Sequence, residues 1–317
     1  MTFSVTILGS SSAFPTSNRF PSAQLVSVHE RPYLVDCGEG TQTQLRKYGI
    51  NIAKINHILI THLHGDHMFG IYGLISTMNM LGRTRDLNIY APKELDAILA
   101  DHLKYFGEGM TYKPVVHALN TTQSETIYEN KHLIIKSLPL RHRVPTCGFL
   151  FKEKTPGLNI RKELIEKYNL SLRDIVRIKN GAHHTLESGE VIPNEKFTYL
   201  PYAPRSFAYC SDTIMSRYII PIISEVDLLY HEATFCEDRH QLALERGHST
   251  AMQAAQIARE ANARQLVIGH YSSRYKELDQ FLIEAQSVFS NSHLAEEGKV
   301  FEIPLQQEKP TPLNFYK

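Results

Sequence analysis

An α/β architecture, with two sheets packed together and helices outside them, is what this sequence predicts. Three observations carry it. Short apolar stretches with strand character alternate with helix-like stretches along the chain. Strands in both halves run into Asp or His just before a loop or helix, which puts chemistry at strand C-terminal ends. The composition, 42% hydrophobic and 21% charged over 317 residues, is that of an ordinary globular chain able to bury a core.

The N-terminal segment from Met1 to Gly9 has no basic stretch and no small-residue cleavage site, so it reads as a first strand, 3–8, rather than a signal peptide. Further strands are expected at 24–28, 32–36, 57–61, 87–90, 133–138, 207–211, 228–231, 265–270 and 300–303. Helices are expected at 40–48, 69–81, 92–106, 217–225, 250–261 and 276–288. The helix at 250 is the best defined. Thr250 and Gln253 make a capping box, and Ala251, Ala254, Ala255, Ala258 and Ala261 form an apolar stripe at helical spacing.

Charge and cysteine usage narrow the class. Thirty-four Lys and Arg against 33 Asp and Glu leave a formal charge of +1, which excludes a generally polybasic binder but not a local basic patch. The longest apolar runs, such as 218–223, fall far short of the ~20 residues a membrane span needs. Cys37, Cys147, Cys210 and Cys236 form no CxxC pair and read as free thiols in a reducing compartment. A soluble cytoplasmic protein with no membrane partner is the expectation.

One segment departs from the pattern. Residues 152–179 carry eight basic residues (Lys152, Lys154, Arg161, Lys162, Lys167, Arg173, Arg177 and Lys179) against four acidic ones. The Pro156-Gly157 breaker opens it, and Asn180-Gly181 and Ser188-Gly189 turns follow. Such a charge run is either a solvated helical surface or an arm that grips a polyanion.

The chemistry is announced by His62-Leu63-His64-Gly65-Asp66-His67. Two imidazoles two residues apart at a strand end point the same way, and a carboxylate and a third imidazole follow in the turn that Gly65 permits. This is a donor set for a two-zinc centre. Four such positions within six residues are rarely met by chance. Two ions need more donors, expected as His or Asp at strand ends: His142, Asp212 and His270. A carboxylate such as Asp212 can bridge ions at the ~3.5–4 Å spacing of hydrolytic two-metal sites.

With these residues in view, the chain resembles the metallo-β-lactamase superfamily and, within it, is most similar to the ribonuclease Z family. Further stretches carry the likeness: Leu8-Gly9-Ser10-Ser11-Ser12, Asp36-Cys37-Gly38-Glu39-Gly40-Thr41-Gln42, His231-Glu232-Ala233-Thr234, Gly247-His248-Ser249-Thr250 and His270-Tyr271-Ser272-Ser273-Arg274. The resemblance implies a four-layer αββα sandwich over 1–317, with an inserted flexible arm at about 151–190. It implies an endonuclease that removes the 3′ trailer of precursor tRNA after the discriminator nucleotide, leaving a 3′-hydroxyl on the tRNA and a 5′-phosphate on the trailer. It also implies a homodimer whose arm holds the tRNA body. Two departures stand out. The Gly-Pro pair common in the family's arm is replaced here by Leu170-Ser171-Leu172-Arg173-Asp174, and the residue before Asp212 is Ser211 rather than Gly.

On this reading His62, His64 and His142 hold one zinc, and Asp66, His67 and His270 the other, with Asp212 bridging. Asp66 also orients and deprotonates the nucleophilic water. Glu232 and His248 form a carboxylate–imidazole pair able to protonate the leaving oxygen. Their alternatives are a partner to a zinc ligand for Glu232 and a helix-entry histidine for His248. Arg274 is placed to contact a substrate phosphate, and Lys152, Lys154, Arg173, Arg177 and Lys179 to hold the RNA. Ser10–Ser12 and Asn18-Arg19 either line the cleft or form a plain turn, and the His183-His184 pair reads as surface. The rival function is a two-zinc phosphodiesterase of the same fold acting on small or non-tRNA substrates.

Overall fold

The computed structural model describes residues 1–13 and 15–306, and the chain divides into two compact units. The first, Met1–Lys152 with Ser206–Ile303, holds two seven-stranded sheets. In spatial order the first sheet runs Val300–Glu302, Phe3–Gly9, Ala23–Val28, Arg31–Val35, His57–Leu59, Leu87–Ala91 and Pro114–Ala118. The second runs Ser292–Leu294, Gln265–Gly269, Leu228–Glu232, Ser206–Cys210, Cys147–Glu153, Leu133–Pro139 and Thr126–Glu129.

The period of two along a strand explains the layering. Tyr33 and Val35 enter the core between the sheets, whereas Leu34 between them faces the helices Thr41–Lys47 and Ile71–Met80. In the second sheet Phe149 and Phe151 join the central core, while Leu150 faces the helices Ala251–Glu260 and Asp279–Val288. Both faces of each sheet are therefore buried, which yields the αββα sandwich predicted.

Strand direction then sets the site. Arg31–Val35 and His57–Leu59 are parallel, and so are Ser206–Cys210, Leu228–Glu232 and Gln265–Gly269. Asp36, Asp212 and His270, each just beyond such a strand, hold left-handed backbone at φ 56°, 53° and 63°. Non-glycine residues adopt that conformation at a cost, and here it falls on three residues that follow core strands.

Some elements differ from expectation. The strand Cys147–Glu153 and the short edge strands Pro114–Ala118, Thr126–Glu129 and Ser292–Leu294 were not predicted, nor was the helix His240–Arg246. The helix expected at 217–225 is only a 3₁₀ turn, Arg217–Ile219. Pro221 supplies no N–H to extend it, and burial of Ile219 and Ile223 accounts for the apolar run. The capping box at Thr250 is present with both reciprocal bonds.

The second unit includes Glu153–Arg205. Its small core is Leu164, Leu170, Ile178, Ile192 and Phe197. Glu153 and Arg205, its first and last residues in this stretch, form a buried bidentate ion pair (2.7 and 3.0 Å). The helix Leu172–Lys179 is capped by Ser171 and Asp174, and it leaves Leu172 and Val176 exposed beside Arg173 and Arg177. All four cysteines are free and buried. Among the described residues no helix is long and apolar enough to cross a membrane.

Candidate metal centre

The strand His57–Leu59 ends before the motif it introduces, so His62 and His64 sit in the loop that follows rather than on the strand. Their rings still converge, with His62 Nε2 and His64 Nδ1 2.9 Å apart. Asp66 and His67 lie on the single helical turn Gly65–Met68. Glycine is needed to seat that turn: a Cβ at Gly38 would collide with the Asp66 carbonyl, and one at Gly70 with the Gly38 carbonyl.

The structure brings all seven expected ligands into two adjoining groups. His62, His64, His142 and Asp212 form one; Asp66, His67 and His270 form the other. Asp212 faces both. Its Oδ2 lies 3.6 Å from His62 Nε2 and 3.7 Å from His142 Nε2, while its Oδ1 lies 3.2 Å from His67 Nε2 and 3.1 Å from His270 Nε2. Asp66 Oδ2 is 3.6 Å from the Nε2 atoms of both His67 and His270.

The far side of four of the five rings is tied down. Thr61 Oγ1 meets His62 Nδ1 at 3.0 Å, Asp36 Oδ2 meets His67 Nδ1 at 2.8 Å, and Thr234 Oγ1 meets His270 Nδ1 at 2.9 Å. His142 Nδ1 donates to the Gly247 carbonyl at 2.8 Å. Such partners fix tautomer and orientation, leaving the opposite nitrogen free to ligate. Asp36 is held in turn by Thr61 and by the buried Tyr209 hydroxyl at 3.0 Å.

The charge balance tests whether metal ions fit. Four carboxylates, Asp36, Asp66, Asp212 and Glu232, meet here, three of them fully buried and Asp66 11% exposed in its side chain. Among the described residues none is ion-paired to Lys or Arg; only histidines face them. Burial penalises the Asp212 carboxylate, yet His270, His67 and His62 hold its pKa well below the usual range. His62 is held well below the histidine range by burial and by neighbouring His67. His142 Nε2 is buried without a hydrogen-bond partner. A buried excess of negative charge ringed by imidazole lone pairs fits divalent cations, and His and Asp donors suit zinc.

Glu232 organises the neighbouring proton machinery. Its Oε1 accepts from Thr213 N at 2.9 Å and faces His248 Nδ1 at 2.8 Å; its Oε2 accepts from Thr234 N and Oγ1 at 3.0 and 2.7 Å. Burial lowers the His248 pKa, but the Glu232 carboxylate overrides it and raises the imidazole to about 9. One carboxylate thus orients His248 directly and His270 through Thr234.

These groups open on a cleft of about 760 Å³, whose lining includes Arg143, Arg246 and Arg274 beside Phe235 and Leu242. Arg274 was anticipated; Arg143 and Arg246 were not, although Arg143 adjoins His142 in sequence. Ser12 lines the cleft, whereas Ser10 hydroxyl donates to Glu297 and Arg19 donates to the Tyr275 carbonyl in a turn. Lys152 is exposed on its strand, and Lys154, Arg173, Arg177 and Lys179 belong to the second unit. His183 accepts from Asn194 N, and His184 packs its ring against Phe197. Asp36, Thr61 and Thr234 are the supporting residues that sequence reasoning left without a role, though Asp36 ends a predicted strand.

Comparison with known proteins adds three findings. A family profile described as anti-Pycsar protein Apyc1 matches residues 3–188. Ribonuclease Z of Phocaeicola vulgatus is 47% identical over 97% of this chain and 99% of its own, and that of Cytophaga hutchinsonii is 42% identical over 95% and 96%. The crystal structure of human tRNase Z, short form, matches with TM-score 0.69 and 26% identity over 95% of this chain and 99% of its own. The metallo-β-lactamase-fold protein YhfI from Bacillus subtilis, at TM-score 0.67, 22% identity and coverage of 95% and 100%, shares the fold.

Proposed function

The chain belongs to the ribonuclease Z family, and from that premise we propose that it cuts precursor tRNA after the discriminator nucleotide with two zinc ions per subunit. It is an endoribonuclease of tRNA 3′ processing and a phosphodiester hydrolase. The observation that carries the two-ion reading is the two-faced Asp212, each of whose oxygens addresses a separate set of imidazoles. His62, His64 and His142 would hold one zinc, Asp66, His67 and His270 the other, with Asp212 between. Zinc bound there supplies Lewis acidity, lowering the pKa of a water and neutralising charge on the phosphoryl oxygens.

The rest falls to the chain's own groups. Asp66 is oriented by the Ala13 N–H, which donates to its Oδ2 at 2.8 Å, and its carboxylate takes the proton of the attacking water. His248, held protonated by Glu232, gives a proton to the leaving ribose oxygen, so the tRNA ends in a 3′-hydroxyl and the trailer keeps the 5′-phosphate. Arg143, Arg246 and Arg274 bind the phosphates on either side of the scissile one. Arg173, Arg177 and Lys179, with Lys152 and Lys154, hold the body of the RNA. We place the protein in the cytoplasm, as a homodimer in which one subunit's arm serves its partner's cleft.

The deciding experiment is cleavage of a 3′-extended precursor tRNA by zinc-loaded protein, with both new ends mapped and Asp212→Ala as control. Cutting after the discriminator, absent in the variant, supports the proposal. An intact precursor alongside hydrolysis of bis(p-nitrophenyl) phosphate would replace it with a phosphodiesterase of small substrates. Light scattering of the free protein tests the dimer.

A further inference from the structure

The strand His57–Leu59 leads at its C-terminal end toward the metal centre, and at its other end it borders a second cavity of about 540 Å³. We propose that this cavity is a separate anion site, which takes a small phosphate-bearing molecule of nucleotide size. Arg31, Lys54, Arg83 and Arg85 line it, against the single carboxylate of Glu30. In a chain whose formal charge is +1, so local an excess is not a general property of the surface. Arg31, Lys54 and Arg85 are exposed, and among the described residues none is ion-paired. Glu30 instead accepts a hydrogen bond from the Thr2 hydroxyl at 3.2 Å.

Two features distinguish the cavity from a chance gathering of surface cations. Arg83 is only 7% exposed, and its guanidinium donates to the carbonyls of Arg85, Ile55 and Asp86 and to Asn56 Oδ1, at 2.7–2.9 Å. A cation is thereby fixed at the cavity wall, with its positions set before any ligand arrives. His57, also in the lining, keeps a buried Nδ1 with no hydrogen-bond partner. Its ring is stacked on Tyr33 (5.3 Å) and tilted against Tyr128 (4.5 Å), so it cannot turn freely to find one. An oxyanion in the cavity would meet Arg forks suited to phosphate, beside an imidazole whose Nδ1 has no hydrogen-bond partner within the protein.

Size and surroundings favour a small ligand over a polynucleotide. The volume falls within the ~300–1,000 Å³ range of small-molecule sites. The adjoining concavity shares Glu30 and Lys54 but adds no further cation, its other walls being residues such as Leu25, Ser27 and Ile50. A backbone track would need the positive charge to continue.

The test uses full-length, zinc-loaded protein with ¹³C-labelled histidine, titrated in parallel with ADP, inorganic pyrophosphate and adenosine. The expected result is a saturable shift of the His57 resonance with ADP or pyrophosphate but not with adenosine alone. Apparent affinity should fall at least tenfold in Arg31→Ser/Arg85→Ser and again in Lys54→Ser, and stay unchanged in Arg274→Ala. Cleavage of precursor tRNA by the double variant should remain within twofold of the parent. A His57 signal that no phosphate compound moves overturns the proposal. So does an affinity that only Arg274→Ala weakens, which would put the ligand in the metal cleft. A rise in KM for precursor tRNA in the double variant, with His57 silent to ADP, would assign the surface to RNA instead.

Discussion

The candidate metal cleft and the segment Glu153–Arg205 are built in opposite ways. In the cleft each of the inward-facing imidazoles of His62, His67, His142 and His270 has its second nitrogen bonded to a named partner. Asp36, Thr61 and Thr234 follow strands of the two sheets, and Gly247 closes the helix His240–Arg246. In the second unit a core of five buried side chains supports a helix whose basic residues, Arg173, Arg177 and Lys179, stand in solvent beside exposed Leu172 and Val176. Chemistry at phosphorus tolerates only small errors of position, so its groups are over-determined. Attraction to a phosphate backbone tolerates many geometries, so groups that served it would need only be present and charged. The contrast makes graded predictions: substitutions in the cleft should act on turnover and metal content, and those in the second unit on binding.

The largest effect should come from Asp212→Ala. Removing the one carboxylate that addresses both groups of histidines should abolish binding of at least one ion, and cleavage should fall by more than ~100-fold, beyond the range for a lost outer partner. Metal content by elemental analysis and single-turnover cleavage are the readouts. Near-normal metal content with normal cleavage would break the comparison at its strongest point.

Next is Glu232→Gln. Losing the charge that keeps His248 protonated should lower kcat by ~10²–10⁴-fold, the usual range for general acid–base catalysis. The sign of the pH effect follows from the raised His248 pKa. The acid form persists as pH rises toward about 9, so activity falls on the alkaline side. Without the Glu232 carboxylate the imidazole reverts toward lower pH, and the alkaline limb of the rate profile should move down with it. A profile that loses height but keeps its limb would make Glu232 a support for His270, through Thr234, and no more.

Asp36→Asn should be milder, costing roughly 10–100-fold in metal affinity by loosening His67. It also marks how far the sequence could be read. The convergence of the seven candidate ligands was legible because His62, His64, Asp66 and His67 crowd into one motif and the others end strands whose apolar runs are plain. The layered fold was legible for the same reason. Asp36 closes a predicted strand too, but nothing in its neighbours says that it faces His67 across 31 positions of chain. Thr61 and Thr234 are equally silent, because hydroxyl partners carry no spacing signal. Arg246 reaches the cleft only through tertiary packing. The short edge strands lack enough residues to show a period, and the apolar run at 218–223 imitates a helix because Ile219 and Ile223 are buried by turns.

The smallest effect should separate the two regions most cleanly. Arg173→Ala, Arg177→Ala and Lys179→Ala combined remove three exposed charges from one short helix without touching its capping Ser171 and Asp174 or its buried Ile178. Thermal stability should therefore change little. If these side chains meet RNA phosphates, KM for precursor tRNA should rise by several-fold to about tenfold with kcat unchanged. The salt dependence should also flatten, since each phosphate contact contributes about 0.7–0.9 to the slope of log affinity against log salt. Hydrolysis of bis(p-nitrophenyl) phosphate should be indifferent, because that substrate needs only the cleft. A loss shared by both substrates would mean that the helix acts on the chemistry, and the division between a rigid reaction centre and a forgiving binding surface would fail. A loss confined to the RNA, steepest at low salt, would show that the two regions contribute to one reaction in separable terms.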